Sequence, residues 1–432
     1  MLPPDHPKRL ALADEVHARP PEPLETPSRA TYIALLVAPE DRERELAQIA
    51  ALCERFAVTP PHGGVTQFGA QLGPVRFKWE RHGEFSSFTL FTPGLSQRPY
   101  SEPAVAMLPA GWLAGLPGTT LVAAHAKLVA ATEAPLDAAA LAGHFGGNIV
   151  VGAQIGDGAG MAYTDFRIHP DGFARFLVCD QGFTPRQAGR MLQRLFEIEA
   201  YRMMALLALP VAREQAPRLL EIERALSTLT GKIAAEGGDD EALLQELTRL
   251  AARIEGELTS SQFRFGACRA YHALVLTRIG ELRERRLPGI QTIDEFMARR
   301  LNPAVETCAT MARRLHDLSE RVARISALLS TRVDIKRERQ NQSLLASMDR
   351  RAKLQLRLQQ TVEGLSLAAI VYYVIGLVGY AAKAGKAGGL AIEPELLMGL
   401  AIPVVALAVL LMLRRARRHL HGGEDESTGG HH

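Results

Sequence analysis

Residues 365–382, LSLAAIVYYVIGLVGYAA, and residues 396–413, LLMGLAIPVVALAVLLML, are two stretches without a charged side chain. Each holds 18 residues, and a helix of that length covers roughly 27 Å, close to the ~30 Å hydrocarbon core of a bilayer. Both are apolar around the whole helix, whereas a surface helix of a soluble protein is apolar on one face. We therefore predict a two-helix transmembrane hairpin over residues 365–413, with the lipid bilayer as a partner.

Basic side chains flank both stretches, which favours membrane spans over a pair of buried core helices. The short segment between the stretches contains only Lys383 and Lys386 as basic residues. The flanking basic residues are Arg350, Arg351, Lys353 and Arg357 before the first stretch, and Arg414, Arg415, Arg417 and Arg418 after the second. By the positive-inside rule, both termini are expected in the cytoplasm and the short segment on the opposite side.

The overall charge and the cysteine content indicate which partners and which compartment to expect. The chain has 432 residues and a formal net charge of +3 at pH 7, so the overall charge does not indicate a nucleic-acid partner. The four cysteines lie far apart without the C-x-x-C spacing of zinc or redox sites, and we expect free thiols in a reducing compartment. The first twelve residues include three prolines and no continuous apolar run. No cleavable secretory signal is therefore predicted.

Strand patterns dominate the first half of the chain, after a proline-rich leader at residues 1–28. A helix is predicted over 40–58, because apolar residues recur there at helical spacing. Strands are predicted over residues 30–38, 65–71, 75–81, 84–92 and 119–130. A three-strand meander is predicted over 148–179, since Asp157-Gly158 and Pro170-Asp171-Gly172 tolerate hairpin turns. Residues 29–182 are therefore expected to form a cytoplasmic α/β domain.

Helical patterns replace strand patterns from about residue 184. They cover residues 185–209, 218–235, 240–287 and 293–364, with predicted breaks at Pro210, Pro217, Gly237 and Pro288. We divide this part into a helical region, residues 183–290, and a long stalk helix, residues 291–364. A basic and then polar tail follows the hairpin at residues 414–432. The fold class expected is an α+β membrane protein.

The stalk helix has a packing seam and a basic face. The seam residues recur at four, three and four residues, and they are Leu318, Val322, Ile325 and Leu329. Between residues 311 and 360 there are 12 Lys plus Arg against 5 Asp plus Glu. Such a charge excess is typical of a solvated helix face near anionic lipid headgroups. The alternative is a ring of charge around the central axis of an oligomer.

One face of the first apolar stretch carries small and polar residues, which close helix association in lipid requires. This candidate pore or helix-packing stripe consists of Ser366, Ala369, Tyr373, Gly376 and Tyr380. Its partner stays open between the second stretch of the same chain and copies from several subunits, whose hydroxyl groups would then line a pore. In the pore hypothesis Glu363 forms an inner acidic ring, and Glu393 and Glu395 form an outer one.

Other polar clusters match no known site pattern. Asp14, Glu15 and His17 lack a metal-ligand spacing, and the glycine-rich residues 152–160 lack a complete phosphate-binding motif. Asp165, His169 and Asp171 surround a predicted turn, which is the simpler interpretation of that cluster. A nucleophile paired with a general base is not apparent either. We therefore expect no enzymatic activity and no cofactor.

Four segments carry a family resemblance, namely HARPPEPLETPSRA (17–30), TDFRIHPDGFARFLV (164–178), CDQGFTPRQAGRMLQRLFEIEAYR (179–202) and DRRAKLQLRLQQTVEGLSLAAIVYYVIGLVGY (349–380). Together they resemble an uncharacterised bacterial family of predicted membrane-anchored proteins, domain of unknown function 3422. The resemblance covers nearly the entire chain and implies a multi-pass protein of the bacterial inner (cytoplasmic) membrane. It implies no particular activity.

The layout also resembles the CorA-type divalent-cation transporters, in which a stalk helix runs into the first of two carboxy-terminal spans. In that superfamily five stalk helices form a funnel, which implies a homo-oligomer that passes divalent cations. The G-M-N triplet of the CorA pore is absent here, and Gly379-Tyr380-Ala381 stands in its place. Magnesium selectivity is therefore not implied. The alternative function is a membrane-tethered interaction or regulatory protein whose hairpin is only an anchor.

Overall fold

The computed structural model describes residues 3–10, 12–13, 20–96, 100–131, 137–235, 238–388 and 393–421. The chain divides into two compact units, Met1–Leu329 and Ser330–His432. The first unit is an α+β fold, and the second is helical over its described residues.

Among the described residues, nine strands form one sheet in the order β2-β3-β4-β1-β5-β8-β7-β6-β9. The strands are β1 (Ser28–Leu36), β2 (Gln67–Leu72), β3 (Val75–Arg81), β4 (Ser86–Pro93), β5 (Thr119–Ala130), β6 (Val151–Ile155), β7 (Gly160–Thr164), β8 (Ala174–Asp180) and β9 (Arg285–Arg286). Strands β5 and β8 pair in parallel, and the other neighbouring strands pair antiparallel. The predicted meander is confirmed as β6, β7 and β8.

Helices cover both faces of this sheet. They are α1 (Arg42–Arg55), α2 (Ala138–Phe145), α3 (Pro185–Leu206), α4 (Ala208–Ala234), α5 (Asp240–Leu282), α6 (Ile293–Arg300), α7 (Asn302–Ala387) and α8 (Pro394–His421). Helix α3 packs across β5 and β8, and α5 packs against α3 and α4. In β1, Tyr32 points into the core under α3, whereas Ile33 belongs to the core under α1. A strand buried on both faces needs a continuous apolar run, which is what residues 30–38 contain.

The sheet and the helices that follow it share one core, which extends from Leu24 to Leu329. The predicted segments 29–182 and 183–290 therefore belong to a single compact unit. Strand β9 lies at the edge of the sheet beside β6, although the sequence shows no strand pattern after residue 184. Two residues are too few to produce a period-2 signal, so pairing with β6 defines this strand.

The helix break predicted at Pro210 lies three residues earlier, at Leu207, and the break predicted at Pro217 is wrong. Pro210 lies in the first turn of α4, where a missing N–H has no helical partner to lose. Pro217 lies inside α4, where a missing hydrogen bond costs about 3 kcal/mol. Leu219 and Ile222 are nearly fully buried just after it, and their burial offsets that cost. Helix α5 ends at Leu282, five residues before the predicted end, because Arg283 adopts a left-handed φ of 53°.

Helix α7 continues without a break from the first unit into the second. Its predicted seam is confirmed, since Leu318, Val322 and Leu329 are at most 2% exposed in the core of the first unit. Both α7 and α8 contain a window long and apolar enough to cross a membrane, judged by length and composition.

Candidate functional site

The apolar windows of α7 and α8 are exposed along most of their length. Only 11% of the window in α7 and 0% of the window in α8 is buried by the protein. Leu365 and Leu377 are 77% and 68% exposed, and Leu400 is 73% exposed. Folding normally removes such side chains from water, at about 25 cal/mol per Å² of apolar surface. These two windows are therefore surfaces that require a partner or an apolar solvent.

The two apolar helices contact each other through a glycine. A Cβ atom built on Gly379 of α7 would lie 2.5 Å from the Met398 sulfur of α8. Ala382, three residues further along α7, is 7% exposed. Small residues allow two helix backbones to approach closely, so Gly379 and Ala382 mark the contact face of α7.

The predicted small and polar stripe lies on another face of α7. Tyr373 and Tyr380 are 72% and 75% exposed, and Ser366 and Ala369 are exposed as well. A Cβ atom built on Gly376 would meet no atom within 4 Å. Of the two partners left open by the sequence, the second apolar stretch of the same chain does not cover the stripe. The stripe remains available to another molecule.

The structure describes the side chains of the basic residues before the first apolar stretch, but not of those after the second. Arg350, Arg351 and Arg357 are exposed on α7, and Lys353 pairs with Asp349 at 2.7 Å. The four arginines Arg414, Arg415, Arg417 and Arg418 lie on α8 by their backbone, and their side chains are outside the described part of the chain.

The predicted acidic residues lie at the two ends of the apolar windows. Glu363 is partly buried and accepts a hydrogen bond from Gln359 at 3.3 Å. Glu393 and Glu395 are exposed at the beginning of α8. A single chain places one of these carboxylates at the inner end and two at the outer end, so only several copies could form a ring.

A small polar cavity lies inside the first unit, between α3 and strands β3 and β4. Its volume is about 20 Å³, which is room for about one water molecule. Lys78 and Glu80 form a buried ion pair at 3.1 Å on its wall. Tyr32 also lines it, and burial raises the pKa of the Tyr32 hydroxyl well above its usual value, with Tyr201 and Glu80 adding to the rise. The cavity is too small for a substrate.

The leader packs beside this cavity, and its Glu22 is part of the cavity wall. The Lys78 ammonium donates to the Pro20 carbonyl at 3.0 Å, and Arg76 donates to the Pro23 carbonyl at 2.8 Å. Leu24 donates its backbone N–H to the Pro185 carbonyl at 2.9 Å. Residues 20–24 of the proline-rich segment are therefore a docked part of the core. The sequence does not reveal this, because the partners lie more than 50 positions away.

The other polar clusters have local structural roles. The glycine-rich segment forms the predicted hairpin turn between β6 and β7, where Asp157 has a φ of 63°. Asp165 and His169 pair at 2.9 Å, and Asp171 pairs with Arg175 at 3.3 Å. The segment with Asp14, Glu15 and His17 lies outside the described residues. Within the described ranges, no group of three or more His, Cys, Asp or Glu residues is arranged to hold a metal ion.

Two cysteines that are distant in sequence meet in the core. The thiols of Cys268 on α5 and Cys308 on α7 share a hydrogen bond, which lowers the pKa of Cys268 and raises that of Cys308. Both side chains are at most 2% exposed, and all four cysteines are free and buried. The separation of 40 positions in the sequence hides this contact.

Comparisons with known proteins return one informative match. No curated protein and no solved structure matches the chain significantly. None of these comparisons links the chain to the CorA-type transporters. The sequence profile of one protein family matches residues 4–420, nearly the whole chain. The chain therefore belongs to the family described as "Protein of unknown function (DUF3422)".

Proposed function

We propose that this protein is a membrane-tethered interaction or regulatory protein of the bacterial inner membrane. Residues 365–382 and 396–413 span the bilayer, and the unit Met1–Leu329 lies in the cytoplasm with both termini. The observation that carries this proposal is the exposure of the two apolar windows, of which the protein buries only 11% and 0%.

The two apolar windows are too large to be exposed to water in a stable protein. Fully burying one large apolar side chain contributes about 1.5–3 kcal/mol. Each window contains more than ten apolar side chains, so exposure to water would cost tens of kcal/mol, more than the ~5–15 kcal/mol net stability of a typical domain. In a bilayer, apolar lipid tails surround each helix on all sides, so this cost does not arise. The two windows are therefore better suited to a bilayer than to water.

The orientation of the two spans in the membrane follows from the distribution of basic residues around them. Arginines and lysines flank the outer ends of both spans, whereas the short connection has Lys383 and Lys386 only. The positive-inside rule then assigns both outer ends to the cytoplasm. The exposed arginines at 350, 351 and 357 face the anionic headgroups of that leaflet.

Membrane fractionation of the full-length protein tests the tether. We expect the wild type to stay in the membrane pellet after an alkaline carbonate wash. The double variant Leu377→Arg/Leu407→Arg places a charge in each span and should leave the pellet, because a central arginine costs about 2.5–3.5 kcal/mol per span. Leu344→Arg, on an exposed position of α7 outside the spans, is the matched control and should stay. Recovery of the wild type as soluble protein would reject the tether.

A second candidate is a CorA-like homo-oligomer that passes divalent cations. It is supported by the exposed stripe on α7, which α8 does not cover and which copies of the chain could share. In reconstituted vesicles, Tyr373→Leu or Gly376→Leu should then abolish cation flux without preventing insertion. If the protein were a monomer or dimer in detergent, or if the wild type showed no cation flux, the channel would be rejected and only the membrane-tether proposal would stand.

A further inference from the structure

Three central strands carry basic side chains next to one another on the same face of the sheet. Arg29 of β1 lies directly opposite Lys127 of β5 in the antiparallel register. Arg175 of β8 lies beside His125, two positions before Lys127, in the parallel register. The side chains of Arg29 and Arg175 are 12% and 18% exposed, and Lys127 is 8% exposed. This face therefore holds one buried and two partly buried cationic side chains within one small area.

Two of the three cations have acidic partners. Arg29 lies 3.9 Å from the carboxylate of Glu102, which is 61% exposed. Arg175 pairs with Asp171 at 3.3 Å and donates to the His144 carbonyl at 3.0 Å. In the described part of the chain, no acceptor lies within hydrogen-bonding or ion-pairing distance of the Lys127 ammonium. The ring of Tyr100 lies beside this ammonium, with the ring centroid 5.9 Å from Nζ.

The Lys127 ammonium thus has no acidic partner within the described residues, on a side chain that is only 8% exposed. A buried charge is normally paired, and like charges directly opposite on paired strands destabilise a sheet. The same desolvation lowers the pKa of Lys127. Two further polar atoms here, Nδ1 of His144 and Nε of Arg175, are buried and make no hydrogen bond within the described residues. The unsatisfied groups are all potential donors around one aromatic ring.

A strained residue supplies that ring. Tyr100 has a φ of 61°, a left-handed conformation that bulky residues rarely adopt. Its hydroxyl donates to the Phe176 carbonyl at 2.9 Å, and the guanidinium of Arg175 lies 4.9 Å from the ring centroid. Backbone strain of this kind persists where the surrounding structure holds a side chain in place. Here it holds an aromatic face against both cations.

We propose that this cluster is a binding site for a small oxyanion, a phosphate or carboxylate group, that accepts hydrogen bonds from the Lys127 ammonium. The anion supplies the missing negative charge, and charge-assisted hydrogen bonds of this kind are among the stronger ones in proteins. The nearby Arg175 guanidinium and the ring nitrogen of His144 provide further donors. The site lies in the α+β unit and does not depend on the membrane hairpin.

Titration of the full-length protein in detergent tests the site. Inorganic phosphate and acetate are added separately in low-chloride buffer at neutral pH, and binding is followed by calorimetry and by the thermal midpoint. We expect saturable binding of at least one anion by the wild type. Lys127→Met should weaken it by about tenfold or more, which corresponds to the loss of one strong hydrogen bond. Preference between the two anions identifies the ligand class.

The control variant is Lys232→Met, which removes an exposed lysine paired with Glu246 at 3.6 Å. It should bind as the wild type does. In anion-free buffer Lys127→Met should be at least as stable as the wild type, because it removes a partly desolvated ammonium that has no acidic partner within the described residues. Equal binding by Lys127→Met and wild type would overturn the proposal. So would the absence of saturable binding by the wild type, whatever the stability of the variants.

Discussion

Gly379 lies directly against Met398, so that a Cβ atom at this glycine would approach the methionine sulfur to 2.5 Å. Gly376, three residues earlier on the same helix, has no atom within 4 Å of an equivalent Cβ. The two glycines are neighbours on the helix surface, and they mark the border between the part of α7 that contacts α8 and the part that a single chain leaves open. They also form a matched pair for mutation.

We predict that Gly379→Val weakens the contact between α7 and α8, whereas Gly376→Val leaves it intact. Overpacking a close contact costs about 1–3 kcal/mol, because the methionine or the backbone must move. Both variants are solubilised in a mild detergent and unfolded by increasing amounts of a denaturing detergent. The helix content is measured at each step. Equal unfolding curves for the two variants would contradict the close contact at Gly379.

Local patterns predict the elements of this fold well. The predicted bounds of β3 at 75–81 and β5 at 119–130 agree with the structure to the residue. The reason is that alternation of side chains along a strand is visible within a few positions. The two apolar windows are likewise visible, since each is continuous in sequence.

Contacts between distant segments are not visible in the same way. Arg29 meets Lys127 only because β1 and β5 pair in one register, and Cys268 meets Cys308 only because two long helices pack together. Glu45 belongs to a helix whose apolar spacing is visible in the sequence, yet its burial depends on Trp79 of another element. Without pairing information, such residues look like ordinary surface charges or isolated thiols.

Gly189→Ala should destabilise the first unit. A Cβ atom at Gly189 of α3 would overlap the backbone oxygen of Glu22, and backbone atoms cannot rotate away as a side chain can. We expect a loss of about 1–3 kcal/mol in the free energy of unfolding and faster proteolysis of the leader. Thermal unfolding and limited proteolysis measure these effects.

Gly231→Ala is the control, because a Cβ there meets no atom and helix α4 gains about 1 kcal/mol from alanine. If Gly189→Ala were as stable as Gly231→Ala, the leader would not be docked on α3.

The buried His125 should make the protein sensitive to acid. Burial lowers the pKa of His125 to about 4, compared with about 6.5 in an unfolded chain. Above about pH 6.5 the imidazole is neutral in both states and no free energy is lost. Between about pH 6.5 and 4 the unfolded chain takes up a proton that the folded chain does not. Stability therefore falls as pH falls through this window, by roughly 3 kcal/mol for this group.

His125→Gln keeps a polar partner for the Thr31 hydroxyl, which lies 3.0 Å from His125 Nδ1, and removes the titration. Wild type and variant are compared by chemical denaturation across that pH window. The difference in stability between them should shift in favour of the variant on acidification. A constant difference would show that His125 does not contribute to acid sensitivity.

Glu45 should contribute more to stability than any exposed acid of the same helix. It is fully buried on α1, accepts a hydrogen bond from Nε1 of Trp79 at 3.0 Å, and lies 3.4 Å from the guanidinium of Arg81. Glu45→Ala leaves a buried indole N–H without its acceptor and a mostly buried arginine without this carboxylate. Breaking such a buried pair costs about 3–5 kcal/mol, whereas Glu43→Ala, at an exposed position on α1, should cost less than about 0.5 kcal/mol. Urea unfolding followed by tryptophan fluorescence measures both losses of stability. The signal includes Trp112, which donates to the Gln48 carbonyl of the same helix at 3.0 Å. If Glu45→Ala lost no more stability than Glu43→Ala, the buried carboxylate would not hold α1 against the sheet.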